Sequence, residues 1–232
     1  FEFLYPELDY DIEDAGESMR AIFVCTTKKD LDLKDIDEVS LRVEMLPEQE
    51  RIYNLLRRSE EARSSEFPKE PITKIRLRKL GWSSMILIMC ASNPMLLQGK
   101  TEIPKEIRES LSRALEESEV GLPPKLAKAC EKARELVKQG KKVLIWSSFV
   151  GNVKAITNAL ADLGADYILG ETPSDTMGKG SRERPDEGSR EEIIQRFKTD
   201  PEMMVLVANP AAAGESISLH HECHDAIYVD RT

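Results

Sequence analysis

Several residues in this chain are of the kind that can hold a phosphate, and they sit where short apolar runs end. Ser147 and Ser148 follow KVLIW, Gly170 and Thr172 follow DYIL, and Asn209 and Pro210 follow MMVLVA. Hydroxyls, side-chain amides and main-chain N–H groups at loop ends bind phosphate oxygens without reading a base. Gly214, a few residues past Asn209, lets the backbone turn close to a ligand where a side chain would obstruct. Arg190 adds a cation that could reach a phosphate or pair with a nearby carboxylate. Each has an ordinary reading beside the chemical one. The loop-end hydroxyls could be caps on the helices that follow, and the small-residue run after Asn209 could be a turn packed beneath a helix.

Two other sets look chemical but lack the right spacing. His220-His221-Glu222-Cys223-His224 places potential metal ligands in unbroken succession, yet neighbouring side chains point apart and do not enclose one ion. The run lacks His-Glu-x-x-His spacing and has no second ligand pair elsewhere, so no metal is expected. Gly99-Lys100-Thr101 imitates the tail of a phosphate loop, but Pro94 occupies the leading glycine position. The four cysteines (Cys25, Cys90, Cys130, Cys223) show no paired spacing, which reads as reduced thiols in a cytosolic protein.

The elements that would carry these residues change character near residue 100. Before it the pattern is helical and irregular. DIDEVSLRVEML alternates around Val39, Leu41 and Val43 and reads as a strand. Pro47 opens a helix with Ile52, Leu55 and Leu56 on one face. Residues 59–71 lose periodicity and read as a loop, and a second helix runs through KIRLRKLGWSSMILIMCAS to Asn93-Pro94. After residue 100, helix and strand alternate. KEIRESLSRALEES and KLAKACEKARELVKQG are helices, the latter stopped by Gly140. KVLIWSS, DYILG, MMVLVA and DAIYVD are strands. VKAITNALADLG and SREEIIQRFKTD are the helices between them, the second with Ser189 and Glu192 as a capping box. Apolar strands joined by helices imply a parallel sheet covered on both faces, with working loops at the strand carboxyl ends. The segment 175–189 is rich in glycine and charge and reads as a loop, its Lys179, Arg182 and Arg184 solvated or grazing a polyanion.

The 232 residues carry a formal charge of −9, which argues against a protein wrapped in nucleic acid over its whole surface. A local phosphate track stays open, because positives gather at Arg51/Arg57/Arg58, Lys74/Arg76/Arg78/Lys79 and Lys138/Lys141/Lys142. No apolar run approaches the roughly 18 residues of a membrane span, and the acidic N-terminus lacks the order of a secretory signal.

In order and spacing these segments resemble the second half of SNF2-family motors. KVLIWSSFVGNVKAITNAL is similar to that family's motif IV. YILGETPSD with SREEIIQRF is similar to its Gly-Ser/Thr turn and the helix carrying Arg190, Ile194 and Phe197. VLVANPAAAGESISLHHECHDAIYVD is similar to motif V and the next strand. LPEQERIYNLL and MCASNPMLL resemble the opening and close of the family's helical insertion, and CTTKKDLDL keeps only Thr27 and Lys28 of an Arg-Arg-Thr-Lys segment. Ser216 departs from a usual glycine and Ser218 from a common asparagine.

The resemblance, over about residues 20–232, implies an α/β RecA-like lobe: a parallel sheet between helices, with an N-terminal helical insertion. It divides the chain into an inter-lobe segment with the insertion (1–100) and the RecA-like lobe (101–232). It implies Asn209, Pro210, Ser147, Ser148, Gly170 and Thr172 on a DNA backbone, Gly214, Glu215, Ser216 and Ser218 toward a nucleotide cleft, and Arg190 near a phosphate. The implied partners are double-stranded DNA and a first lobe, with ATP and Mg2+ held by the two lobes together. The chain ends before the family's last arginine motif, so no catalytic residue, bound cofactor or ATP hydrolysis is expected of it alone. The implied location is the cytoplasm or, in a eukaryote, the nucleus. A non-catalytic interaction module that kept the fold is the alternative, and an RNA-directed lobe a second, disfavoured by the insertion.

Overall fold

Prolines set where the first helices begin and end. In this computed structural model, residues 36–65, 74–100, 103–117, 121–172, 189–213 and 218–230 are described. Pro47 opens α1 (Pro47–Ser65), where its missing N–H costs no helical hydrogen bond. Next, α2 (Lys74–Ser92) stops at Asn93, whose side chain accepts from the Met95 N–H (3.0 Å) and starts a 3-10 turn over Pro94–Leu97. Pro104 precedes α3 (Lys105–Glu117) and Pro124 opens α4 (Pro124–Lys138). Gly140, at φ +77°, then turns the chain through a left-handed conformation that side chains disfavour.

The chain separates into two compact units, Phe1–Arg42 and Val43–Thr232. Of the first, only residues 36–42 are described, and they form neither helix nor strand. The alternation around Val39, Leu41 and Val43 therefore does not make the expected strand. A strand needs a ladder of backbone partners, and none of the described residues supplies one; Val39 and Leu41 are exposed. The loop expected over residues 59–71 does not begin at 59, because α1 continues to Ser65; residues 66–71 lie outside the described residues. Glu60 explains the extension: it is buried and accepts from the Ser83 hydroxyl on α2.

Within the second unit, Ile52 and Leu56 of α1 meet Ile86 and Cys90 of α2 and Leu97 of the 3-10 turn. Ile103, and Ile107 and Leu111 of α3, complete this apolar cluster. Gln49 fastens the cluster's rim by donating to the Cys90 (2.9 Å) and Ala91 (3.2 Å) carbonyls at the end of α2.

Four short strands follow: β1 (Val143–Trp146), β2 (Asp166–Ile168), β3 (Val205–Ala208) and β4 (Asp225–Tyr228). All pair in parallel, in the order β2-β3-β1-β4, with Val143 opposite Val205 and Asp225. Parallel pairing requires crossovers. Helix α5 (Val150–Ala159) lies between β1 and β2, α6 (Arg190–Thr199) between β2 and β3, and the short α7 (Pro210–Ala213) after β3. The step from β1 to β2 moves across the sheet one way and the next two steps move back. Crossovers of one hand must then lie on opposite faces.

The packing agrees. Val143, Ile145, Val205 and Val207 face Leu126, Ala133, Val153 and Ile156 of α4 and α5. Ile168, Leu206 and Ala208 face Ile193 and Phe197 of α6 and Ala212 and Ala213 of α7. Gly164 (φ +63°) closes the 3-10 turn Ala161–Leu163 that follows α5, where an added Cβ would strike the Glu202 carbonyl oxygen.

Candidate phosphate-binding rim

Parallel strands bring all four carboxyl ends to one edge of the sheet, and hydrogen bonds join them there. Ser147 N donates to Ala208 O (3.1 Å), Asn209 N to Ile168 O (3.1 Å) and Val229 N to Trp146 O (2.9 Å). The loops after β1, β2 and β3 thus share a rim, as the alternation of helix and strand predicts.

Asn209 holds the centre of that rim. Its Nδ2 donates to the Ser148 carbonyl (2.9 Å), while its Oδ1 accepts from Ala211 N (2.9 Å) at the start of α7. Pro210 beside it is exposed. Ser148 is half-buried, with its N–H donated to Asp230 Oδ1 (2.5 Å). Ser147 is fully buried and its hydroxyl donates to Asp230 Oδ2 (2.8 Å), so that hydroxyl faces the interior rather than a ligand. After β2, the Thr172 hydroxyl accepts from Leu169 N (3.0 Å) and Thr172 N donates to Leu169 O (3.0 Å). This tight turn leaves Gly170 and Glu171 exposed at its tip.

Arg190 opens α6 behind the capping Ser189, and its buried Nε has no hydrogen-bond partner among the described residues. Ser218 is exposed, with its Oγ 2.8 Å from His220 Nδ1. The His220 and His221 rings lie 3.8 Å apart. Gly214, Glu215 and Ser216 lie outside the described residues, so no arrangement for holding a nucleotide is read from them. Among the described residues, no three of His, Cys, Asp and Glu converge as metal ligands, and no helix is long and apolar enough to cross a membrane.

Sequence reasoning missed the residue on which the rim is built. Asp230 was read only as the close of DAIYVD, yet it is 5% exposed and gathers donors from three elements. Asn152, on the buried side of α5, donates to it (3.3 Å) and to Ser92 Oγ (2.9 Å), and accepts from Asn93 Nδ2 (3.0 Å). The available signal was polarity in an apolar place: an acid ending a buried strand, and an asparagine beside Val153 on the apolar face of a helix.

A parallel sheet between two helix layers, preceded by a packed helical cluster and carrying polar loops on its carboxyl rim, defines a RecA-like α/β lobe. Solved structures share it. One is the C-terminal domain of a Sulfolobus solfataricus SWI2/SNF2 ATPase, at TM-score 0.54 and 20% identity, covering 81% of this chain and 68% of that one. The core of a Sulfolobus solfataricus SWI2/SNF2 ATPase in complex with dsDNA aligns at TM-score 0.54 and 18% identity, over 82% of this chain and 34% of that one. The Pyrococcus furiosus Hef helicase domain aligns at TM-score 0.56 and 17% identity, over 97% and 57%. The chain thus spans about a third of the DNA-bound core. No protein-family profile and no curated protein sequence matches the chain. At these identities the likeness is one of fold.

Proposed function

We propose that the chain is the second motor lobe of an SNF2-like, ATP-dependent translocase on double-stranded DNA. The observation that carries this reading is the shared rim: Ser148, Asn209 and the Gly170–Thr172 turn stand side by side at the strand ends of a RecA-like lobe. Backbone groups and small polar side chains in that position suit a protein that holds phosphates and reads no sequence. The solved core bound to dsDNA supports the choice of duplex.

In this reading ATP and Mg2+ lie between this lobe and a first lobe. Phosphoryl transfer needs chiefly positioning and neutralised charge. Gly214, Glu215, Ser216 and Ser218 would line this lobe's side of the cleft, and Arg190 would offer its positive charge to a phosphate. The chain by itself would hydrolyse no ATP.

The test is ATPase activity of the chain joined to its first lobe, with and without duplex DNA. Duplex DNA is expected to raise the rate, and Gly214→Val and Arg190→Ala to reduce the stimulated rate about tenfold or more. A wild-type rate that ignores DNA would remove the motor reading. The alternative, a non-catalytic module, draws on the engagement of the Ser218 hydroxyl with His220, and predicts no hydrolysis with or without DNA.

A further inference from the structure

The Asp230 carboxylate accepts from four neutral donors: the Ser147 hydroxyl (2.8 Å), the Ser148 N–H (2.5 Å), Asn152 Nδ2 (3.3 Å) and the Ser92 hydroxyl (3.4 Å). These come from the turn after β1, the first turn of α5 and the last residue of α2. Oδ1 takes the Ser148 N–H and Oδ2 faces the other three donors, an acceptor on both oxygens that a side-chain amide or a hydroxyl does not offer. The network then extends outward. Asn152 accepts from Asn93 Nδ2, and Asn93 itself receives the Met95 N–H that starts the 3-10 turn.

The effect concentrates on Ser148. Its N–H is held by Asp230 and its carbonyl by Asn209, so both backbone polar groups are fixed from inside the protein. That fixes the direction in which its side chain leaves the rim. A buried polar network of this kind is strong only when complete. Removing one acceptor strands several donors together.

We propose that Asp230 is a positioning residue that fixes the Ser147–Ser148 turn for contact with a phosphate backbone. Through Ser92 and Asn152 it also makes the helical cluster part of that contact. The proposal rests on the DNA-tracking reading above. It adds a specific mechanical link, in which a shift of the end of α2 changes the aim of the rim.

Asp230→Asn tests it directly, because the shape is kept while one acceptor becomes an N–H2 group facing donors. In the two-lobe protein, the readouts are affinity for a labelled DNA duplex by fluorescence anisotropy at fixed salt, amide hydrogen exchange across residues 147–149, and the thermal midpoint. Asp230→Asn is expected to speed exchange at Ser148 and to weaken duplex binding about tenfold. Ile156→Val, a core change away from the rim, serves as the stability control and should leave duplex affinity within about twofold. Ser92→Ala leaves both turn donors on Asp230 and should weaken binding by a smaller factor, about threefold; it also serves if Asp230→Asn fails to fold.

Unchanged exchange at Ser148 in the folded Asp230→Asn protein would overturn the positioning role. Faster exchange with unchanged duplex affinity would overturn the role of this turn as the contact, and so would an unchanged affinity in Ser92→Ala for the link to α2. A wild-type protein that binds no duplex would overturn the motor reading itself. The exchange data would still report separately on what Asp230 holds.

Discussion

Single residues in this protein are governed by what burial does to their polar groups. Cys90 is fully buried, and desolvation pushes its thiol up to about 12; Cys130 is pushed to about 11, chiefly by the same cause. The thiolate is the nucleophile, so alkylation at pH 8 should modify Cys130 on the order of a hundredfold, and Cys90 on the order of a thousandfold, more slowly in the native protein than in denaturant. Mass mapping of the alkylated sites checks this. The linkage has a definite sign. The unfolded thiols ionise near 9.0 while the native ones stay protonated, so the unfolded state holds fewer protons and stability falls as pH rises from about 9 toward 12. The same principle governs the rim. Ser147 has the chemistry of a phosphate ligand in the sequence, but burial turned its hydroxyl toward Asp230. A sequence shows which groups a residue owns; which way they face depends on partners more than 80 positions away.

At the scale of elements, local signals were legible and long-range ones were not. The capping box of α6 is present as its sequence indicates, with Ser189 Oγ accepting from Glu192 N (3.3 Å) and Glu192 Oε2 from Ser189 N (2.7 Å). At the other end of the helix, Lys142 donates to the Phe197, Asp200 (2.6 Å) and Met203 (3.0 Å) carbonyls, a lysine that charge counting had placed among surface clusters. Ser189→Ala should therefore cost about 1 kcal/mol in urea denaturation. Ser189→Asp, which keeps an acceptor at the cap, should recover most of the loss. The expected strand at Val39–Val43 failed for the opposite reason. Period-two alternation is a local property, whereas a strand exists only through its neighbours.

For the whole molecule, the parallel sheet followed from the alternation of helix and strand, but its order β2-β3-β1-β4 did not. Strand order depends on which crossover lies on which face, and short apolar runs of similar composition are interchangeable in sequence. The reach of the helical cluster past residue 100, to Ile107 and Leu111, was similarly hidden, because α3 has the same amphipathic pattern whichever neighbour it packs against.

The placement of the two indoles has a practical consequence. Trp82 packs on the helical cluster with Lys100 Nζ 5.8 Å from its ring centroid, while Trp146 packs on the α6 side of the sheet, stacked with Tyr228 at 6.5 Å. The chain thus contains one tryptophan on either side of the polar link formed by Ser92, Asn152 and Asp230. Single-indole variants, Trp82→Phe and Trp146→Phe, should show the same urea midpoint by emission if that link makes the two sides melt together. Ser92→Ala should pull the two midpoints apart.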